Sequence, residues 1–367
     1  MKNLFILFAV IWGLIPKVNN AQTLDTLITV SGGHQLHFKI IKGKSAPILF
    51  ESGFGNGGDI WDHITKPIAD VTGATILTYD RLSNVISKHQ YEIGIENEII
   101  ALEEALQKLG YSNKNMMLVA HSLGGMYCSY YASRHPNDVK AAVFIDDANI
   151  CSLKSHFNIV KLTNKDTIEN YLASILSSVE KKQMPKNIPL IDIVADTHYD
   201  DNGNPDTVWL SCHKNFVAQS THRKLLLAYN VGHYVFKENP PIVINSIITE
   251  YVNFLEPTKK TTILEKSDAL SNEMFNEIKK NEVKGGQTED DLITWGYSLL
   301  ERNETEKAIK IFELNVLLNP NGWNNYDSLG EAYLKSGNKD LAIKNYKKSI
   351  ELNPKNDGAI KILENIK

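Results

Sequence analysis

Ser122 is the residue whose setting most directly implies chemistry. It stands in Val119-Ala120-His121-Ser122-Leu123-Gly124-Gly125, after the apolar run from Met116 and before 126–135, which Pro136 stops. The pattern reads as a strand, a sharp turn and a helix. A serine on such a turn holds a strained backbone and projects its hydroxyl from the end of a sheet. Ala120 and Gly124 lie two places either side, where strand and helix backbones nearly touch and a large side chain would clash. The usual spacing is G-x-S-x-G, with alanine here in the first glycine's place. The chemistry implied is a serine nucleophile. A serine that only caps the following helix fits the motif equally well.

The elements around it must decide. Leu24–Val30 and Gln35–Ile41, joined by Ser31-Gly32-Gly33, read as an antiparallel hairpin. A short strand over Pro47–Phe50 runs into Glu51-Ser52-Gly53-Phe54-Gly55-Asn56-Gly57-Gly58. That loop lacks dinucleotide spacing. It suits backbone N–H groups turned toward a reaction centre. Asp59–Val71 reads as a helix capped by Asp59, Ala74–Tyr79 as a buried strand ending in Asp80-Arg81, and Ile93–Leu109 as an amphipathic helix closed by Gly110. A strand over Ala141–Ile145 ends in Asp146-Asp147, and Asp147 reads as a cap for the helical segment beyond it.

Residues 149–187 are helical, moderately polar and lysine-rich, and read as a lid inserted between two strands. Ile188–Val194 restores the strand, with Asp196 beyond it. Val208–Gln219 reads as helix, Lys224–Tyr229 as strand, then Val231-Gly232-His233-Tyr234 and a last helix over Pro241–Leu255. Alternating strands and helices imply an α/β fold with a mostly parallel sheet covered on both faces.

Across about 24–256 the chain resembles the α/β-hydrolase family. The resemblance rests on the glycine-rich loop after the third strand, the A-H-S-L-G-G turn after the fifth, an acid at a later strand end, and Gly232-His233 before the last helix. Nucleophile, acid, histidine is that family's chain order. The resemblance implies Ser122 as nucleophile, His233 as base, and the backbone N–H groups of Phe54 and Leu123 as oxyanion donors. The acid is Asp146 in preference to Asp196, whose surroundings lack the usual G-x-x-D spacing. His121 and Asp80 read as structural. The glycines that usually follow Asp80-Arg81 are replaced by Leu82-Ser83-Asn84-Val85, which leaves the substrate open. A serine nucleophile disfavours haloalkane chemistry. An inactive hydrolase fold used as a binding module is the competing function.

Residues 1–21 read as a signal peptide, with Lys2, the apolar stretch Leu4–Ile15, and Ala21 at the cut. This puts the hydrolase domain at 22–256 in a secreted or periplasmic setting, with no transmembrane segment after signal removal. Net charge of −4 gives no footprint for nucleic acid. Three isolated cysteines show no zinc spacing and allow one disulfide at most. Cys128 reads as a buried small hydrophobe. No cofactor and no metal are expected.

Residues 257–287 read as a linker with a helix near Ser267–Lys280. From 288 to 367 an internal repeat of 34 residues pairs Gly296 with Gly330, Ala308 with Ala342, Phe312 with Tyr346, and Pro320 with Pro354. It resembles two tetratricopeptide repeats and a closing helix, an all-α module. Such repeats imply a protein or peptide partner, beside a small-molecule acyl substrate for the enzyme.

Overall fold

A computed structural model describes residues 23–82, 94–112, 115–156, 168–195, 206–228, 231–267, 289–301 and 303–366. They fall into two compact units, essentially 23–267 and 289–366. The expected signal peptide, the helix near 267–280 beyond its first residue, and Asp196 lie outside the described residues.

The first unit is built on eight strands: β1 Thr23–Thr29, β2 Gln35–Ile41, β3 Ser45–Glu51, β4 Ala74–Asp80, β5 Met116–His121, β6 Val139–Ile145, β7 Leu190–Ala195 and β8 Arg223–Ala228. They form one sheet in the order β1-β2-β4-β3-β5-β6-β7-β8. The first two pairings are antiparallel. From β4 through β3, β5 and β6 to β7 the pairings are parallel. The burial pattern matches this topology. In β1 buried-leaning and exposed residues alternate, as an edge strand with one wet face requires. Every residue of the central β5 is buried, because helices cover both faces.

The covering helices are α1 Asp62–Thr72, α2 Ile95–Lys108, α3 Gly124–Arg134, α4 Ile150–His156, α5 Ile168–Glu180, α6 Thr207–Ala218, α7 Val235–Glu238 and α8 Pro240–Asn253. α2 buries Ile95, Ile99, Leu102, Ala105 and Leu106, one stripe at helical spacing, and Gly110 just beyond it takes φ 79°. α4 and α5 occupy the expected lid segment.

Two capping expectations fail. Asp59 sits in a short 3-10 turn, Gly58–Trp61, and α1 starts only at Asp62 with no side-chain cap. Gly58 is held against the end of β4, its N–H donating to Asp80 Oδ1 at 2.7 Å, and a Cβ there would lie 2.7 Å from Tyr79 N. Asp147 does not cap the lid. Asn149 does, accepting from Ser152 N while Ser152 Oγ accepts from Asn149 N, both at 3.0 Å. Asp147 is drawn instead into a buried cluster with Asp192 and His213.

Cys151 on α4 and Cys212 on α6 form a disulfide across 61 residues. Closing a loop of that length stabilises a fold by about 4 kcal/mol in the chain-entropy account. Cys128 is free and buried. Residues 257–267, expected as linker, are helical. No helix among the described residues is long and apolar enough to cross a membrane.

The second unit is all-α: α9 Glu289–Glu301, α10 Thr305–Leu318, α11 Trp323–Lys335, α12 Lys339–Leu352 and α13 Asp357–Asn365. The 34-residue period has a steric basis. A Cβ on Gly296 would meet the Phe312 ring at 2.3 Å, and one on Gly330 would meet the Tyr346 ring at 3.1 Å. Each glycine thus admits the aromatic ring 16 residues on, and the buried Ala308 and Ala342 keep the paired helices close.

Candidate active site

β5 delivers Ser122 at the carboxyl edge of the sheet. Its φ is 54°, a left-handed conformation that non-glycine residues adopt at a cost of about 1–3 kcal/mol. The surroundings hold it there. Ser122 N donates to Ile145 O at 3.3 Å, and Ser122 O accepts from Gly125 N at 3.0 Å and Ala148 N at 2.9 Å. Gly124 is required because a Cβ there would lie 2.5 Å from Glu51 O, so α3 could not pack on β3.

The loop after β3 comes against the same turn. A Cβ on Gly53 would lie 3.0 Å from Ser122 Cβ and 3.1 Å from His121 Nδ1, a tight fit that glycine relieves. Phe54 is next in this loop, and Leu123 comes directly after the serine. Their amides make no hydrogen bond to another described residue.

A buried arginine fixes the loop from behind. Arg81, 2 % exposed, pairs with Glu51 and donates to Ser52 O at 2.5 Å and Gly53 O at 2.7 Å. Its guanidinium lies 4.5 Å from the Tyr127 ring centroid. Burial opposes the Arg81 charge, but Glu51 together with Tyr127, Glu98 and Tyr171 outweighs it and the pKa is raised. Tyr79 donates to the other Glu51 oxygen. Tyr127 donates to Glu98 and meets the Tyr171 hydroxyl at 2.6 Å, and the Tyr171 ring, on α5, lies 6.1 Å from Phe54. Arg81 is therefore the tether of the loop that approaches Ser122. Its signal in the sequence is a lone cation at the end of an apolar strand.

β6 delivers Asp146, fully buried, with φ 46°. Its Oδ2 accepts the Nδ1–H of His233 at 2.7 Å. Its Oδ1 accepts from Ala195 N and from Trp209 Nε1, each at 3.1 Å. Ser122 and Asp146 are two of the three non-glycine residues with positive φ among the described residues. Strain of this kind gathers where geometry is held for function.

His233 precedes α7 and leans on the residue before the serine. His121 Nε2 donates to His233 O at 2.9 Å, and the two rings lie 4.5 Å apart. Phe236 and Tyr234 also flank the His121 ring, at 4.9 and 5.1 Å. Burial, then the neighbouring His233, pushes the His121 pKa down to about 3. A neutral ring with its proton on Nε2 is a spacer for the His233 loop and lacks the proton affinity of a base at neutral pH. Asp80 serves the strand ends, accepting from Gly58 N at 2.7 Å and facing His37 Nδ1 at 3.0 Å.

Behind the triad-like set lies a second cluster that has almost no signature in the sequence. His213 on α6 faces Asp192 Oδ2 of β7 at 2.8 Å and Asp147 Oδ1 at 3.6 Å, all three buried. Burial opposes the His213 charge, but Asp192, with Asp147 and Asp146 behind it, outweighs burial and holds the pKa up at about 9. Burial and the Asp192 charge push the Asp147 carboxyl well up. Its Oδ2 lies where a Cβ on Gly125 would come within 2.5 Å, so Gly125 admits it. Ligand-type atoms of the three residues lie within 4.8 Å of one another. The 2.8 Å separation is a hydrogen-bond length, shorter than the roughly 3.3 Å edge of a tetrahedral shell with bonds near 2.0 Å. The cluster is built to hold protons. Its one sequence signal is an aspartate in the middle of the apolar run Ile188–Val194.

Residues 46–182 match the family model of the α/β hydrolase fold, and 328–356 match that of the tetratricopeptide repeat. Among solved structures, the chain is similar to an epoxide hydrolase from Vigna radiata at 13% identity, covering 65% of this chain and 100% of that one, TM-score 0.49. It is similar to a predicted CIB-like hydrolase from Thermoplasma acidophilum at 14%, covering 64% and 99%, TM-score 0.46. It is likewise similar to an esterase from Exiguobacterium antarcticum at 13%, covering 62% and 98%, TM-score 0.44.

Proposed function

We propose that this chain, an α/β-hydrolase fold followed by a tetratricopeptide-repeat segment, is an exported serine hydrolase acting on an ester-like acyl substrate. Ser122 Oγ attacks the acyl carbonyl while His233 Nε2 takes its proton, and Asp146 holds the Nδ1–H of His233 and so fixes the tautomer. The N–H groups of Phe54 and Leu123 receive the developing oxyanion. The proton passes to the leaving group, an acyl-enzyme forms on Ser122, and water activated by His233 releases the acid. The observation that carries the reading is the 2.7 Å hydrogen bond from His233 to Asp146, made beside a serine at φ 54°. Asp146 is taken as the acid over Asp196 on that bond.

Export is supported by the composition of 1–21 and by the Cys151–Cys212 disulfide, since such bonds persist in oxidising compartments. The repeats support a protein or peptide partner. A fluorophosphonate probe tests the enzyme reading. Intact protein should take up one equivalent, and Ser122→Ala and His233→Ala should take up none. Folded wild-type protein that is not labelled would sink the reading and favour an inactive hydrolase fold that serves as a binding module.

A further inference from the structure

Among the described residues, three donors meet the two carboxylate oxygens of Asp146. His233 takes Oδ2, and the Ala195 amide and Trp209 Nε1 share Oδ1. The Ala195 donor belongs to β7 and is fixed by the sheet. Trp209 reaches Asp146 from outside the sheet, on α6, so its hydrogen bond is only as fixed as that helix.

α6 is held at Phe216, whose ring stacks on Phe144 of β6 at 6.2 Å and whose O accepts from Arg223 Nη1 at 2.9 Å, and more tightly over the turn that carries Trp209. Asp206 caps it, accepting from Val208 N at 3.0 Å and Trp209 N at 3.1 Å. Three residues after Trp209, Cys212 is bonded to Cys151 of α4. Four residues after it, His213 meets Asp192 at 2.8 Å, with its ring 5.3 Å from the Trp209 ring. Positions three and four apart share a helix face, so the disulfide and the ion pair hold the face that carries Trp209. The Trp209 ring also stands edge-on to His233 at 6.2 Å. Cys151 is exposed, so the disulfide can be reached by a small thiol.

We infer that Trp209 is a positioning residue for the triad carboxylate and that the Cys151–Cys212 disulfide sets its place, so that a dithiol reductant slows the acylation of Ser122. The inference rests on the serine-hydrolase reading above. In the switching step the S–S bond breaks, the dithiol gives two electrons and two protons to the cysteine sulfurs, and it leaves as its own disulfide. α6 then keeps its cap, the Asp192 contact and the Phe216 packing, but the turn that carries Trp209 loses its link to α4. Trp209 Nε1 drifts from Asp146 Oδ1, and the carboxylate loses the donor that fixes its plane against His233. Removing one hydrogen bond to a charged group in this way is worth about tenfold in rate.

The test uses the full chain and a fluorophosphonate, with kinact and KI measured for labelling of Ser122. Trp209→Phe keeps the ring and removes the donor. It should lower kinact about tenfold and leave KI within about twofold. Dithiothreitol should lower wild-type kinact in the same direction, and reoxidation should restore it. The paired variant Cys151→Ala/Cys212→Ala should match the reduced protein, and a shared far-ultraviolet circular dichroism spectrum with a cooperative thermal melt shows that each sample is folded. In Trp209→Phe, reduction should add almost nothing, since the two changes act through one bond. Full kinact in Trp209→Phe, or a loss confined to KI, overturns the positioning role. Equal effects of reduction on wild type and Trp209→Phe overturn the link to the disulfide. Absence of any labelling in oxidised wild-type protein is a different failure, that of the serine-hydrolase reading itself.

Discussion

Asp146 and His233 are 87 residues apart in sequence and 2.7 Å apart in space, Oδ2 to Nδ1. Asp146 is fully buried, and its position just past β6 puts it directly beside the end of β5, which leads into Ser122. Asp146→Asn keeps the shape and reverses the tautomer preference of His233. It should cut kcat by about 10³–10⁴ while KM and thermal stability stay close to wild type. Steady-state kinetics on any ester that is turned over check this, and a loss seen only with Asp196→Asn would move the acid to that residue.

The buried cluster of Asp147, Asp192 and His213 should respond asymmetrically to two isosteric changes. Asp147 is pushed toward its protonated form, so Asp147→Asn replaces one neutral group by another and should cost about 1 kcal/mol or less. Asp192→Asn removes the partner of a buried imidazolium and should cost about 3–5 kcal/mol. Urea denaturation of the two variants measures the difference, and equal losses would mean that Asp147 carries the charge.

Two histidines should bound the pH range of stability from opposite sides. His121 has a folded pKa of about 3, below the unfolded value of 6.5. Its contribution is complete above 6.5 and is lost as pH falls toward 3, because only the unfolded chain takes the proton. His213 has a folded pKa of about 9, above the unfolded value. Its contribution is complete below 6.5 and is lost as pH rises through 9. Each group changes stability by up to about 1.4 kcal/mol per pH unit inside its window. Thermal melts from about pH 4 to 9 should show a flatter acid side in His121→Asn and a flatter alkaline side in His213→Gln.

In the repeat unit, Gly296→Ala and Gly330→Ala should differ although the positions are equivalent by sequence. Both gain helix propensity of about 0.8–1.0 kcal/mol. At Gly330 the Tyr346 ring is 3.1 Å from the new Cβ and must give only slightly, so the net effect should be near zero. At Gly296 the fully buried Phe312 ring is 2.3 Å away and must move, which should cost about 1–3 kcal/mol. Differential scanning calorimetry of the full chain checks the order.

The sequence by itself determined the order of strands and helices, the turn at Ser122, the glycine loop before it and the 34-residue repeat. Each is a local pattern: side-chain period, a run of small residues, or a glycine where two backbones must touch. Gly124 and Gly296 were legible for that reason, since the clash they avoid is written in the residue type. Only the tertiary structure decided what meets across the sheet. Asp146 and Asp147 are neighbours in sequence, yet one turns to His233 and the other to Asp192 and His213. Neither the hydrogen bond from Trp209 nor the pairing of Cys151 with Cys212 has a local signature. Both depend on where α6 lands against β6 and α4. That landing is set by packing and charge pairing between segments 21 to 61 residues apart and more, which no spacing along the chain encodes.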